Sequence, residues 1–314
     1  MQRALRKAIG SKLATCKTRT AISRLSCVFL ILGMAEGCER EPSSQASSRP
    51  AAQRIISISP NSTEIIAALG AADRLVAVSD FCVWPESITK LPHIGGLFDT
   101  NLEALLTLRP DLIVLRGQQK AVEDLCATNG IILFRDTTES LDDIYETLHQ
   151  LGELLDRKEQ AAAVEKRMRQ RLMQITTAVA DRPRPRILMT IARNTDGLTS
   201  VMSAAAGTFV DDMIVAAGGE NVFSKSALSY PTISPEAILM SNADVIVEAM
   251  PEVKLSPELE MKLLAQWREF GALPAVKNNR VHVVTDDNVT IPSPRIADVI
   301  AKLARLFHPG VEIE

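Results

Sequence analysis

The sequence predicts an α/β protein of two similar lobes with parallel sheets, and three observations support this fold class. From Arg54 onward, apolar runs suited to buried strands alternate with helical segments, a pattern typical of parallel sheets. One twelve-residue segment is repeated, as Glu103–Val114 and as Glu236–Val247, and each copy predicts a short helix followed by a buried strand. Between the copies, residues 141–180 predict a helix long enough to connect two lobes.

The first 37 residues predict a secretory signal. Seven Lys or Arg residues precede an apolar stretch at Leu25–Met34, which is too short to cross the roughly 30 Å hydrocarbon core of a membrane. Two processing sites compete. Small residues ending at Ala35 suit ordinary signal peptidase, whereas the segment ending at Cys38 resembles a lipoprotein box in which Cys38 receives the lipid. Residues 38–53 are rich in Ser, Pro and Glu and predict a flexible tether.

The rest of the chain is acidic. From Cys38 onward it contains 28 Lys or Arg residues and 37 Asp or Glu residues. This net negative charge argues against a nucleic-acid-binding protein, because such proteins bind the phosphates through positive charge. Five cysteines do not make a disulfide framework. Cys82 and Cys126 lie in the predicted lobes and could pair in an oxidising compartment, but we expect two buried free thiols.

The N-terminal lobe is predicted over residues 54–140. Its first strand, residues 54–58, is followed by a polar turn at Ser59–Ser62 that begins a helix, and open α/β sheets bind ligands at such turns. The loop after the second strand holds Phe81 and Trp84, which either line a ligand site or cover the core. Two further strands are predicted at residues 111–115 and 131–134.

A linking helix is predicted over residues 141–182 and the C-terminal lobe over residues 183–314. The lobe repeats the alternation of strands (186–191, 280–284) and helices (208–217, 261–270, 296–307). The pair Gly218–Gly219 is a normal helix stop.

Glu103 and Glu236 occupy the same position in the two copies of the repeated segment. Asn101 and Ser234 are good N-caps, which places each glutamate at the second position of its helix. An acidic residue in a first helical turn gains roughly 0.3–1 kcal/mol from the helix dipole, and this gain is enough to explain one glutamate alone. Their identical placement in two lobes instead favours a paired role.

Five short motifs carry a resemblance to a known family. They are Ile58–Glu64, Asn101–Glu103 with Arg109–Ile113, Gly218–Asn221, Ser234–Glu236 and Ser293–Arg295. In this order they resemble the periplasmic substrate-binding proteins of ABC importers, in the class that serves vitamin B12 and iron-siderophore uptake. The resemblance covers the chain from Arg54 to about Leu306. It implies a monomer outside the cytoplasmic membrane, with two Rossmann-like lobes joined by one long helix and a ligand cleft between them.

The resemblance also implies roles for individual residues. Glu103 and Glu236 match acidic residues that dock onto arginines of the importer's membrane permease subunits, and charge pairs of this kind give orientation and fast encounter. The positions implied to line the cleft are Pro60, Asn61, Phe81, Leu97, Phe98, Tyr230, Asp287 and Asn288. In corrinoid-binding members the position of Tyr230 is a Trp, so an aromatic face is kept. No catalytic residue, metal site or intrinsic cofactor is implied.

The ligand is expected to be a corrinoid, with two alternatives. A large planar ligand needs broad apolar walls and few polar anchors. A ferric siderophore would want several cleft arginines, and Arg116 and Arg193 are available at strand ends. Haem would need an axial ligand, which Tyr230 could supply.

Two functions of other classes remain open: an enzyme on this fold, and a lipid-anchored sensor or scavenging protein. No GxSxG, Walker or GxGxxG motif follows a predicted strand, which argues against an enzyme. Replacing Glu103 and Glu236 would separate an importer component from a sensor.

Overall fold

A computed structural model describes residues 50–96, 99–194, 196–251 and 253–313. The predicted signal, the candidate lipidation site Cys38 and most of the predicted tether lie outside these residues. Among the helices of the described ranges, none is both long enough and apolar enough to cross a membrane.

The N-terminal lobe contains a four-stranded sheet whose strands are all parallel, in the order β2-β1-β3-β4. The strands are β1 (Ile55–Ser57), β2 (Leu75–Val78), β3 (Leu112–Arg116) and β4 (Ile132–Asp136). The helices are α1 (Pro60–Ala68), α2 (Leu102–Thr107) and α3 (Lys120–Asn129). A parallel sheet is covered on both faces, and the run Leu112–Leu115 is accordingly buried at every position.

The segment predicted as one linking helix consists of two helices, α4 (Leu141–Leu154) and α5 (Lys158–Val179). The helix breaks at Asp156, which adopts a left-handed conformation with φ of 54°, a conformation that Asp tolerates better than most residues. The two helices pack against each other, and a Cβ added to Gly152 would lie 2.9 Å from the Cβ of Ala161. The missing side chain at Gly152 therefore permits the close approach at the turn.

The C-terminal lobe contains a six-stranded sheet in the order β10-β9-β5-β6-β8, with β7 also paired to β5. Its strands are β5 (Arg186–Arg193), β6 (Val201–Ser203), β7 (Glu220–Asn221), β8 (Thr232–Ile233), β9 (Val245–Ala249) and β10 (Val281–Val284). Its helices are α6 (Phe209–Ala216), α7 (Pro235–Ser241), α8 (Pro257–Arg268), α9 (Pro274–Lys277) and α10 (Ile296–Phe307). The pairs β5–β6 and β6–β8 are antiparallel, so this sheet is mixed rather than wholly parallel.

The predicted α/β fold of two sheets is confirmed. One apolar cluster includes residues of both lobes and of the linking helices, such as Ile55, Leu148, Ile175, Ile187 and Phe307. The strands β1, β3, β9 and β10 are parallel within their sheets, so the carboxyl ends of the strands in each lobe form one edge. These two edges carry the polar groups described next.

Candidate functional site

The loops that follow the strands of the N-terminal lobe lie side by side. Parallel strands all end at one edge, which is where open α/β sheets bind ligands. Pro60 follows β1, Phe81 follows β2, Arg116 ends β3 and Glu139 follows β4. Phe81 is 57% exposed, while Trp84 in the same loop is half-buried. This edge therefore offers both aromatic surface and charge.

Asp136 is a buried carboxylate at the end of β4. Its Oδ2 accepts hydrogen bonds from Asn61 Nδ2 at 2.6 Å and from the Ser62 hydroxyl, and its Oδ1 accepts one from the Thr138 N–H at 2.9 Å. Asn61 is only 3% exposed and donates its amide into this network. The network ties the loop after β1 to β4, and the ligand contact expected of Asn61 stays a prediction.

Glu139 connects the two lobes. Its carboxylate accepts hydrogen bonds from Arg116 Nη2 at 2.8 Å and from the Tyr230 hydroxyl at 3.0 Å. Arg116 Nη1 donates to the Thr138 carbonyl at 2.6 Å, and the Glu139 carbonyl accepts from the Phe209 N–H at 2.6 Å. Desolvation and the nearby Glu139 carboxylate raise the pKa of Tyr230 to about 12. Tyr230 is therefore a neutral phenol that donates to Glu139. We call Arg116 and its two carboxylate neighbours, Glu139 and Asp136, the Arg116 cluster.

Arg295 forms a second connection between the lobes. Its Nε donates to Glu64 Oε2 at 2.9 Å, and its terminal nitrogens donate to Asp287 at 3.1 and 2.9 Å. Glu64, on α1, is 2% exposed and also accepts from the Ser293 hydroxyl. The guanidinium carbon lies 4.7 Å from the centre of the Trp84 ring, a cation–π contact that covers the ion pair. We call Arg295, Glu64 and Asp287 the Arg295 cluster.

The other predicted ligand residues are placed as follows. Asp287 belongs to the Arg295 cluster. Asn288 is 7% exposed, and its amide donates to the Arg295 carbonyl at 3.3 Å. Leu97 and Phe98 lie outside the described residues. Gly96, just before them, packs on Phe81: a Cβ at Gly96 would lie 2.9 Å from Cε2 of the ring.

The C-terminal lobe holds a third ion pair, within its own sheet. Arg193, the last residue of β5, donates from Nε to Glu248 Oε1 at 2.5 Å, and Trp267 Nε1 donates to Glu248 Oε2 at 2.8 Å. The side chains of Arg193 and Glu248 are 1% and 0% exposed. This pair is therefore sealed from solvent, and Arg193 is not a free cation for a ligand.

Glu103 and Glu236 are both exposed in the first turns of α2 and α7. The predicted N-caps are present, because Asn101 Oδ1 accepts from the Ala104 N–H and the Ser234 hydroxyl accepts from the Ala237 N–H. The Ser234 hydroxyl and the backbone N–H of Glu236 lower the pKa of that carboxyl. Each helix leads into a parallel strand of its lobe, so both glutamates lie on the side of the strand carboxyl ends.

Cys82 and Cys126 are both buried and unpaired, which confirms the prediction of two free thiols. Desolvation raises the pKa of both thiols. Within the described ranges, no group of three or more His, Cys, Asp or Glu side chains is arranged to hold a metal ion.

Sequence reasoning did not predict the roles of Glu139, Glu64 and Trp84. Glu139 follows the carboxyl end of β4 by three residues, so a search for charges after strand ends could have found it. The contact between Glu64 and Arg295 joins residues 231 apart, and no local pattern indicates such a pairing.

Two α/β lobes with polar and aromatic groups gathered where their strands end define a two-lobed solute-binding protein. The chain belongs to the periplasmic binding protein family, whose profile matches residues 55–288. The two-lobe arrangement and the order of the five motifs agree with this membership.

The relatives of known function are binding proteins. The chain is 28% identical over 285 residues to a vitamin B12-binding protein of Vibrio cholerae, covering 90% of this chain and 95% of the relative. A vitamin B12-binding protein of Yersinia pestis is 32% identical over 200 residues, covering 63% of this chain and 69% of the relative.

Solved structures give the same class of fold. The periplasmic vitamin B12 binding protein of Vibrio cholerae superposes with a TM-score of 0.69 at 27% identity, covering 82% of this chain and 96% of that one. A periplasmic heme binding protein of Pseudomonas aeruginosa superposes with a TM-score of 0.72 at 26% identity, covering 83% and 94%. The protein is thus a periplasmic binding protein of the vitamin B12, haem and siderophore type.

Proposed function

We propose that this protein is the extracytoplasmic solute-binding component of an ABC importer, which captures a corrinoid between its lobes and delivers it to a membrane permease. One observation carries the importer role: Glu103 and Glu236 are exposed at matching positions of two helices, one in each lobe. A pair of charges on two lobes can report the separation of those lobes to a partner, and charge complementarity favours orientation and encounter rate.

The corrinoid is supported by the relatives and by two aromatic side chains, one in each lobe. Relatives that cover most of this chain bind vitamin B12 by name. Phe81 is exposed after β2, and Tyr230 contributes a second ring from the other lobe. Broad apolar faces with few polar anchors suit a large planar ligand.

We assign the ligand contacts to the predicted set. Pro60, Phe81, Tyr230 and Asp287 are its accessible members among the described residues, and Leu97 and Phe98 belong to it through the family resemblance alone. Asn61 and Asn288 also belong to the predicted set, and their buried hydrogen bonds shape the neighbouring loops. A signal ending near residue 37, lipid attachment at Cys38 and a monomeric state complete the proposal. They follow from the sequence pattern and the family resemblance.

The docking role is tested by removing both carboxylates. In cells whose only copy of the gene encodes Glu103→Ala and Glu236→Ala together, we expect uptake of radiolabelled cyanocobalamin to fall about tenfold or more, because the complementary charges of the permease lose their partners. The purified variant should bind cyanocobalamin as the wild type does.

Glu258→Ala is the matched control for this experiment. Glu258 stands in a second Ser-Pro-Glu helix start, with Ser256 as N-cap, and is exposed like Glu236. Its loss should leave uptake unchanged. Normal uptake by the double variant would instead favour a sensor or scavenging protein on this fold.

Ligand identity is tested by titrating the purified protein with cyanocobalamin, a ferric tricatecholate and haemin. Trp84 should report binding through quenched fluorescence, because it lies beside the strand ends, whereas Trp267 is fully buried in the C-terminal lobe. We expect micromolar or tighter binding of cyanocobalamin. Tighter binding of the siderophore or of haemin would replace the corrinoid and leave the importer role intact.

A further inference from the structure

Two arginines, Arg116 and Arg295, are part-exposed where the lobes meet, and each faces more than one carboxylate. Arg116 has a side chain 32% exposed and faces Glu139 at 2.8 Å and Asp136 at 3.8 Å. Arg295 has a side chain 20% exposed and faces Glu64 and Asp287. In each cluster, one guanidinium meets two carboxylates. Neither arginine offers an uncompensated positive charge to a ligand.

Glu139 is the most accessible carboxylate of the Arg116 cluster. Its side chain is 52% exposed, whereas that of Asp136 is fully buried. It also lies where the lobes touch, because it accepts the Tyr230 hydroxyl and its own carbonyl accepts the Phe209 N–H. A ligand held between the lobes near Tyr230 therefore meets Glu139 before it meets Arg116.

The chemistry of this arrangement discriminates between ligand classes. The propionates of haem and the oxygens of a ferric catecholate would compete with Glu139 for Arg116 and would face a like charge. An amide avoids this conflict, because its N–H can donate to Glu139 and its carbonyl can accept from Arg116. The amides around a corrin ring fit this pair of groups.

Tyr230 strengthens the same discrimination. Its hydroxyl donates to Glu139, and its raised pKa keeps it protonated at neutral pH. A neutral phenol whose proton is bound to a carboxylate is a poor ligand for ferric iron, since iron is coordinated by the phenolate. Tyr230 in this setting acts as an aromatic wall and not as an axial ligand.

We infer that Glu139 is a specificity-determining residue that excludes anionic ligands by neutralising Arg116 and by holding Tyr230 as a hydrogen-bond donor. This inference rests on the proposed function, because it assumes that the ligand binds between the lobes. The site then suits a neutral ligand that bears amides, and Glu139 disfavours the binding of haem and of catecholates.

The test compares Glu139→Gln with the wild type. Gln keeps the shape and can still accept the Tyr230 hydroxyl, but it removes the negative charge. We expect the dissociation constant for haemin to fall about tenfold or more, because the like charge is removed and Arg116 is left with only the more distant Asp136 carboxylate. The dissociation constant for cyanocobalamin should not fall and should instead rise, because its amide keeps an acceptor at this position but loses the charged one.

Glu146→Gln is the matched control, since Glu146 is an exposed carboxylate on α4 that accepts from Gln150 within its own helix. It should leave the haemin affinity unchanged. A measurement that needs no variant supports the same point: raising the salt concentration should tighten haemin binding to the wild type, because screening weakens the repulsion.

The outcomes separate the inference from the proposed function. The inference is overturned if Glu139→Gln changes haemin binding no more than Glu146→Gln does, or if the wild type prefers haemin to cyanocobalamin. If the wild type binds no cyanocobalamin but Glu139→Gln still gains haemin binding selectively, the corrinoid assignment fails and the exclusion of anions stands. Unfolding of Glu139→Gln is checked by its melting temperature, and the salt titration then decides.

Discussion

The two clusters that connect the lobes are built from the same chemical groups but differ in burial. Each contains one arginine and two carboxylates. In the Arg295 cluster, the main partner Glu64 is 2% exposed and Trp84 covers the guanidinium. In the Arg116 cluster, the Glu139 side chain is 52% exposed and its neighbour Tyr230 is only partly buried.

This difference in burial predicts a difference in role. A buried ion pair that loses one partner leaves an uncompensated charge in a low-dielectric environment, and the folded state is strongly destabilised. An exposed pair is solvated in both states and contributes little to stability. The Arg295 cluster should therefore hold the lobes together, whereas the Arg116 cluster remains available to act on ligands.

The largest effect is expected for Arg295→Met. Removing the guanidinium leaves Glu64 buried without a cation, and we expect the free energy of unfolding to fall by about 3–5 kcal/mol, measured by urea denaturation. The double variant Glu64→Leu with Arg295→Met should recover much of this loss, because an apolar pair of similar volume is often neutral. A loss in the single variant no larger than that of an exposed pair would contradict a structural role for this cluster.

A smaller effect is expected for Arg116→Met. Asp136 is fully buried, but it lies 3.8 Å from Arg116 and keeps its hydrogen bonds from Asn61, Ser62 and the Thr138 N–H. We therefore expect a loss of about 1–2 kcal/mol in the same denaturation experiment, smaller than for Arg295→Met. Binding should change in the opposite sense to Glu139→Gln: with both carboxylates left uncompensated, haemin should bind more weakly than to the wild type. Tighter haemin binding by Arg116→Met would contradict the role in ligand selection that distinguishes the Arg116 cluster from the Arg295 cluster.

Much of the fold could be predicted from the sequence, because local patterns determine it. The repeated segment predicted both helix–strand units. The N-caps Asn101 and Ser234 accept backbone hydrogen bonds from the first turns of their helices, as expected. The sequence indicated a bend at Asp156–Arg157 but not a helix end, because the turn depends on the packing of Gly152 against Ala161. The antiparallel strand β6 depends on pairing with β5 and likewise has no local signal.

The candidate site could be predicted only in part. The ligand-site positions of Pro60, Phe81 and Tyr230 follow from the family resemblance, and their contact with a ligand stays a prediction. The sequence did not predict which charged side chains pair with one another. Arg116 was considered as an available cation only for the siderophore alternative, and the structure shows that it donates to Glu139. That contact depends on how two loops lie in three dimensions. Tertiary neighbours, not residue types, determine which charges a ligand can use.

The smallest effect is a dependence on alkaline pH, which tests the neutral state of Tyr230 beside Glu139. Its pKa is raised from an ordinary 10.0 to about 12, so the folded state holds the proton more tightly than the unfolded state. The stability from this proton is fully present below pH 10 and is lost as the pH rises towards 12. We expect the free energies of unfolding of the wild type and of Tyr230→Phe to converge across this interval, because Phe has no proton to lose. Tyr145→Phe gives a second comparison within α4, because desolvation also raises the pKa of Tyr145. If the free energies of unfolding of the wild type and of Tyr230→Phe changed with pH in parallel, the folded state would not bind the Tyr230 proton more tightly than the unfolded state. The proposal that Tyr230 contacts the ligand as a neutral aromatic ring would then lose its support.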